Sequence, residues 1–168
     1  MAFGTTAAGT ITKEQTLLSI RRLPVAASTT ITKGEVVVPD AGGDLITATT
    51  TPAAGPKYVA LETVDNSTGA DGDLHVPVAV AGHYVTVVAD GTIRPGAYVQ
   101  QSTSTAGQVI TDAGGDDNLR VGIYFGKEGG TIAKGSSTPY LESYTDAADF
   151  SPADAADGDV IEILLVDN

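Results

Sequence analysis

The feature that most constrains this chain is the way its apolar runs are cut short. Val36-Val37-Val38 follows the turn pair Lys33-Gly34 and stops at Pro39, and Tyr58 to Leu61 follows Gly55-Pro56. From Leu74 to Ala81 the side chains alternate, with Leu74, Val76, Val78 and Val80 on one face and His75, Pro77 and Ala79 on the other. Gly82 breaks that run ahead of Tyr84 to Val88, and Asp90-Gly91 is a tight-turn signal between apolar stretches. Ala97 to Val99, Gln108 to Ile110, Leu119 to Phe125 and Val160 to Val166 complete the series, each fenced by Gly, Asp or Pro. A period of two, with turn residues every ~8–12 positions, predicts about nine or ten short strands. The predicted fold class is therefore all-β, a small antiparallel barrel or sandwich. The residue usage agrees, since 17 Val, 10 Ile and 22 Thr against 10 Leu favour strand over helix. The Ala-rich stretch Asp146 to Ala156 is interrupted by Ser151-Pro152 and allows one helical turn at most.

The chain also echoes itself. Ile31-Thr32-Lys33-Gly34-Glu35-Val36 aligns with Ile93-Arg94-Pro95-Gly96-Ala97-Tyr98 at an offset of 62. Gly43-Asp44-Leu45-Ile46-Thr47 aligns with Gly107-Gln108-Val109-Ile110-Thr111 at an offset of 64. Gly72-Asp73-Leu74 and Gly158-Asp159-Val160 repeat a simpler turn-then-strand pattern. Two readings stand: chance matches in a Gly-rich β protein, or a duplicated β-unit within one closed barrel. Two copies are too few for a solenoid.

Charge is unevenly placed. Of a net −12, the stretch from Leu141 to Asn168 supplies −8, and no Lys or Arg follows Lys134. The first 35 residues carry Lys13, Arg21, Arg22 and Lys33 against Glu14 and Glu35. A balance this acidic opposes binding to nucleic acid or to an anionic membrane. It also suits a protein that must stay hydrated at high salt, so a halophilic or marine source is an expectation. The N-terminus lacks the basic stretch and apolar core of a signal peptide, and the longest apolar run, Val76 to Gly82, falls far short of the roughly 20 residues of a membrane-spanning helix. Synthesis in the cytoplasm of the producing cell is expected.

Catalytic chemistry has little to build on. With no Cys there is no disulfide, zinc-thiolate site or cysteine nucleophile. No G-x-S-x-G pentapeptide, phosphate loop or dinucleotide fingerprint occurs, and Gly135-Ser136-Ser137 and Gly126 to Gly130 read as loops. His75 sits on the polar face of its strand and His83 lies just beyond Gly82, neither beside a second catalytic residue type. The carboxylates at Asp40/Asp44, Asp71/Asp73, Asp112/Asp116/Asp117 and Asp157/Asp159 lie in Gly loops but match no calcium-loop pattern, and Asp-Gly is ordinary turn chemistry. Tyr140 and Tyr144 are a candidate sugar platform or a loop-packing pair. No catalytic residue, cofactor or metal site is expected.

From Ile31 to Val166 the order of these elements resembles the small β-barrel decoration, or structural cement, proteins of tailed viruses. The resemblance rests on the K-G-x-V-V turn at Lys33 to Val37 and on V-A-V-x-G-x-x-V-x-V at Val78 to Val87. It continues through G-x-I-x-x-G-x-x-V at Gly91 to Val99, the V-G-I strand at Arg120 to Ile123, and the terminal G-D-x-I-x-I-x-L at Gly158 to Leu165. This sequence departs from the pattern by an acid-rich insertion before the last strand. The resemblance implies a virion protein on the capsid surface, a homotrimer bridging subunits of the major capsid protein. Residues 1–24 are then an extended N-terminal arm, and residues 25–168 the β-barrel domain with an acidic loop insertion at about 126–157. Lys13, Arg21 and Arg22 are the candidate contacts to the capsid or to a neighbouring copy. The alternative class is a ligand- or glycan-binding β-module, such as a viral fibre or adhesin domain.

Overall fold

The computed structural model describes residues 8, 11–13, 20–114, 117–126 and 154–167. Among them run thirteen strands: β1 (Ile11–Lys13), β2 (Arg21–Pro24), β3 (Thr29–Ile31), β4 (Val36–Pro39), β5 (Leu45–Thr47), β6 (Tyr58–Ala60), β7 (Val64–Asn66), β8 (His75–Ala79), β9 (Tyr84–Val88), β10 (Tyr98–Gln101), β11 (Val109–Thr111), β12 (Arg120–Gly126) and β13 (Val160–Leu165). A single 3-10 turn, Asp117–Leu119, precedes β12. The strands form a six-stranded sheet in the order β1-β9-β13-β12-β10-β11, a five-stranded sheet β2-β8-β6-β4-β5, and the pair β3-β7. Every ladder between these strands is antiparallel.

The fold is thus all-β and sandwich-like, and the closed barrel is corrected: neither large sheet joins its own ends by a ladder. A single parallel bridge links Val25, just after end strand β2, to Leu45 of end strand β5 in one sheet, and Ala89, just after β9, to Val109 of end strand β11 in the other. β2, β5 and β11 beside these bridges are three or four residues long and β9 is five.

Those two bridges are one feature seen twice, because the duplication read in the sequence is built into the backbone. The order β2-β8-β6-β4-β5 in the first unit matches β9-β13-β12-β10-β11 in the second. Register agrees with order. Val36 pairs with Val59 as Tyr98 pairs with Ile123, Val59 with Ala79 as Ile123 with Leu164, and Arg21 with Val78 as Val85 with Ile163. The β3-β7 pairing of Ile31 with Val64 recurs as the isolated bridge between Ile93 and Ala155. Turn bonds repeat as well. The Gly34 amide donates to the Ala60 carbonyl (2.8 Å) as Gly96 does to Tyr124 (2.7 Å), and Val25 donates to Leu74 as Ala89 does to Asp159, both at 2.9 Å. One residue out of step with that register, the Asp73 carboxylate accepts from the Ala70 amide and the Asp159 carboxylate from Ala156, both at 2.8 Å.

Each unit has its own interior, lined by matching positions. Val25, Ile31, Val37, Leu45, Ala60, Val76 and Val78 fill the first, and Ala89, Ile93, Val99, Val109, Tyr124, Ile161 and Ile163 the second. The halves are not independent. Val36, Val59 and Ala79 point away from the first interior and lie fully buried in the second unit's cluster, together with Ala48. That is why β8 is buried on both faces, where simple alternation predicted one. Backbone bonds stitch the same seam: the Val36 amide donates to the Gly107 carbonyl (2.8 Å) and the Gly107 amide to the Ala48 carbonyl (2.9 Å).

The sheet begins at Arg21, inside the stretch expected to be an arm, because Leu23 is half-buried against the first interior and carries β2 onto β8. Upstream, β1 lies along β9 of the second unit. The expected insertion falls where the two units differ in length. Between Ala60 and Val64 the first unit has only Leu61 to Thr63, whereas the second has residues 125–154 between Tyr124 and Ala155. Residues 127–153 lie outside the described residues, and with them Tyr140, Tyr144, Gly135 to Ser137 and most of the Asp146 to Ala156 stretch; Ala155 itself is in a β-bridge.

Candidate interaction surface

The three basic residues singled out by the sequence do not share a sheet. Arg21 and Arg22 are exposed on β2, an edge strand of the five-stranded sheet, opposite Val78 and Pro77 of β8. Two arginines followed by a proline blunt an edge that would otherwise offer itself for strand pairing. Arg21 also lines a surface pocket with Lys57, Tyr58, Val80 and Asp167. Lys13 lies on β1 at the edge of the other large sheet, its backbone registered with Tyr84.

Another cation, Lys57, matters more to the architecture. Lys57 is buried, and its ammonium donates to the carbonyls of Gly55 (3.1 Å) and Asn118 (2.8 Å). Asn118 belongs to the second unit, so this buried charge, satisfied by peptide dipoles, helps to join the halves. No local signal distinguishes Lys57 in the sequence; its role comes from the fold.

The second unit carries an exposed aromatic face. Register sets Tyr98, Ile123, Leu164 and Tyr84 side by side across β10, β12, β13 and β9. Tyr98 is 41% exposed and Phe125 49%, while Ile123, Leu164 and Tyr84 are half-buried. The Tyr84 and Phe125 rings lie 5.6 Å apart at 50°. Over Tyr98 the Arg120 guanidinium stacks at 4.0 Å. The same guanidinium donates through Nε to Asp112 (2.8 Å) and through Nη1 to Asp117 (2.7 Å). The hydrogen bond from Arg120 holds the Asp112 carboxyl below its ordinary range, against the opposing effect of its burial, with the Gly114 amide adding to the lowering. Arg120 is pushed up in turn, first by Asp112. An apolar centre with aromatic and Arg members, rimmed by charge, is the composition of protein–protein contact surfaces.

The other candidates are absorbed by the fold. His75 is exposed on β8. His83 is fully buried with Nδ1 3.0 Å from the Val80 carbonyl, and among the described residues its Nε2 has no hydrogen-bond partner. Carboxylates in the Gly loops cap turns. Asp40 accepts from the amides of Gly42 (2.8 Å) and Asp44 (3.0 Å), and Asp71 from Ala27 (2.7 Å). Among the described residues no three His, Asp or Glu side chains gather as a metal site.

No known family's model matches this chain, and no curated protein does. A solved structure does: the N base of the head fiber protein gp8.5 of bacteriophage phi29, with a TM-score of 0.51, 14% identity, and coverage of 88% of this chain and 94% of that one. That neighbour is a head fiber base, where the sequence pattern suggested a decoration protein. At this identity the likeness establishes the fold, and the chain shares the fold of a phage head fiber base.

Proposed function

We propose that this chain is a structural protein of a tailed-virus head, seated on the capsid surface as a homotrimer that contacts the major capsid protein and catalyses nothing. The observation that carries this reading is the match to a phage head fiber base over most of both chains. Three features support it. The Asp40 and Asp71 carboxylates cap turns and His83 is buried in the core, while His75 is exposed with no second catalytic residue type beside it in the sequence. Among the described residues no helix is long and apolar enough to cross a membrane. The net charge of −12 opposes a nucleic-acid partner. Binding only the assembled shell would stabilise that shell by mass action.

Arg21 and Arg22, exposed at a sheet edge, and Lys13 remain the candidate contacts to an acidic surface. The test is co-sedimentation of the purified chain with heads of the virus that encodes it, followed by imaging of native particles. Saturable binding and density at capsid surface positions support the proposal; native heads without the chain overturn it. The head fiber neighbour also suits a second reading, a ligand- or glycan-binding β-module such as a viral fibre or adhesin domain. A glycan array in which the chain binds a defined sugar would favour that second reading.

A further inference from the structure

We propose that the exposed face of the second unit is occupied by the first unit of another copy of this chain, in a head-to-tail contact that repeats the contact already present inside each chain. This contact follows from the duplication and stands apart from the capsid reading.

Within one chain, the outward row of the first unit, Val36, Val59 and Ala79, is fully buried because the second unit covers it. The register-equivalent row of the second unit is Tyr98, Ile123 and Leu164, and there Tyr98 is 41% exposed. Leu61, packed against the shared cluster, has its counterpart in Phe125, 49% exposed. The chain therefore shows what this face takes, since its own other half presents the same face and has it covered. The covering element can be named. In the chain, the turn before β11 inserts Gly107 against the Val36 amide and the Ala48 carbonyl. The second unit repeats the receiving geometry, with the Asp112 amide donating to the Tyr98 carbonyl (2.9 Å) as Ala48 does to Val36 (2.9 Å). The first unit repeats the inserting turn. Gly43, at φ 94°, corresponds to Gly107, at φ 75°, and a methyl group there would meet nothing within 4 Å. One end of each chain thus carries an unused plug and the other an unused socket.

A contact between unlike faces must close into a ring or run on as a filament. Any closed ring leaves neither face open, and the homotrimer proposed above is one such ring. At equivalent positions Gln100 stands for Val38 and Asp112, paired with Arg120, for Ala48, so the second unit's face is more polar than the covered one, as suits a contact made between separately folded chains.

The chain has no cysteine, so introduced thiols report uniquely. In the chain Gly107 lies against Glu35 and Thr47, whose counterparts are Ala97 and Thr111. Two full-length variants, Gly42→Cys and Thr111→Cys, are prepared separately, mixed, and treated with a short bis-maleimide. Linked dimers from the mixture, and none from either variant alone, support head-to-tail docking. Linkage within a single variant, or none in the mixture, overturns it. In parallel, Phe125→Glu is expected to weaken assembly at least tenfold in sedimentation velocity with an unchanged circular dichroism spectrum; unchanged assembly overturns the proposal. Wild-type chain that stays monomeric at tens of micromolar overturns it too, including the case where deleting residues 127–153 releases assembly, because that segment would then be the occupant. A ring that forms but binds no heads leaves this inference standing and removes the proposed function.

Discussion

At the scale of single residues, the best-defined polar site is Arg120, held over Tyr98 and between Asp112 and Asp117. Because Asp112 sits below its ordinary value of 3.8 when folded, it contributes stability above that value, and the contribution is lost as pH falls through the lowered one. Thermal melts from pH 6 down to pH 2 should show this loss, and Arg120→Met should lower the midpoint at pH 6 while flattening the acid limb. Tyr124 titrates in the opposite sense. Burial, with Asp159 and Asp154 adding to it, pushes its phenol up to about 12. The folded state then holds a proton that the unfolded chain releases near pH 10, so stability falls between pH 10 and 12, and Tyr124→Phe should remove that fall. Absorbance of the phenolate against pH checks the titration directly. Gly107 offers a third test. A methyl group there would lie 2.8 Å from the Glu35 side chain at a positive φ, so Gly107→Ala should destabilise the chain by roughly 1–3 kcal/mol.

At the scale of elements, the strands that announced themselves were those with apolar alternation. Tyr84–Val88 and Val160–Leu165 were legible because each presents a buried row to one core. Arg21–Pro24, Thr29–Ile31 and Val64–Asn66 were not, since three or four residues with one or two apolar members carry no periodicity. They exist because partner strands fix them; Thr30 of β3, for example, faces Asp65 of β7, whose carboxylate accepts its hydroxyl at 2.9 Å. The echo in the turns was legible for a physical reason, as Gly34 and Gly96 occupy the same left-handed turn before the same strand. The aromatic face was not, because its rows form across four strands that are distant in sequence. Nor was the joining role of Lys57, which only tertiary neighbours define. If the units are true counterparts, Ile31→Ala and Ile93→Ala, both at fully buried positions, should each cost about 2–5 kcal/mol in chemical denaturation.

At the scale of the whole molecule, two interiors share one seam through Val36, Ala48, Val59 and Ala79, so calorimetry should record one cooperative transition rather than two. The net charge of −12 sets a repulsion that salt screens, and the melting temperature should rise from low to molar salt; a steady fall would remove the halophilic expectation. The unequal lengths of the two links have a practical corollary. Where the first unit turns the corner with Leu61 to Thr63 alone, the second carries residues 125–154 over the equivalent span, so the architecture itself demonstrates that this junction accepts either a bare corner or a long graft. It is the natural place to splice a foreign peptide for multivalent display, with the β-scaffold on both sides left to fold as before.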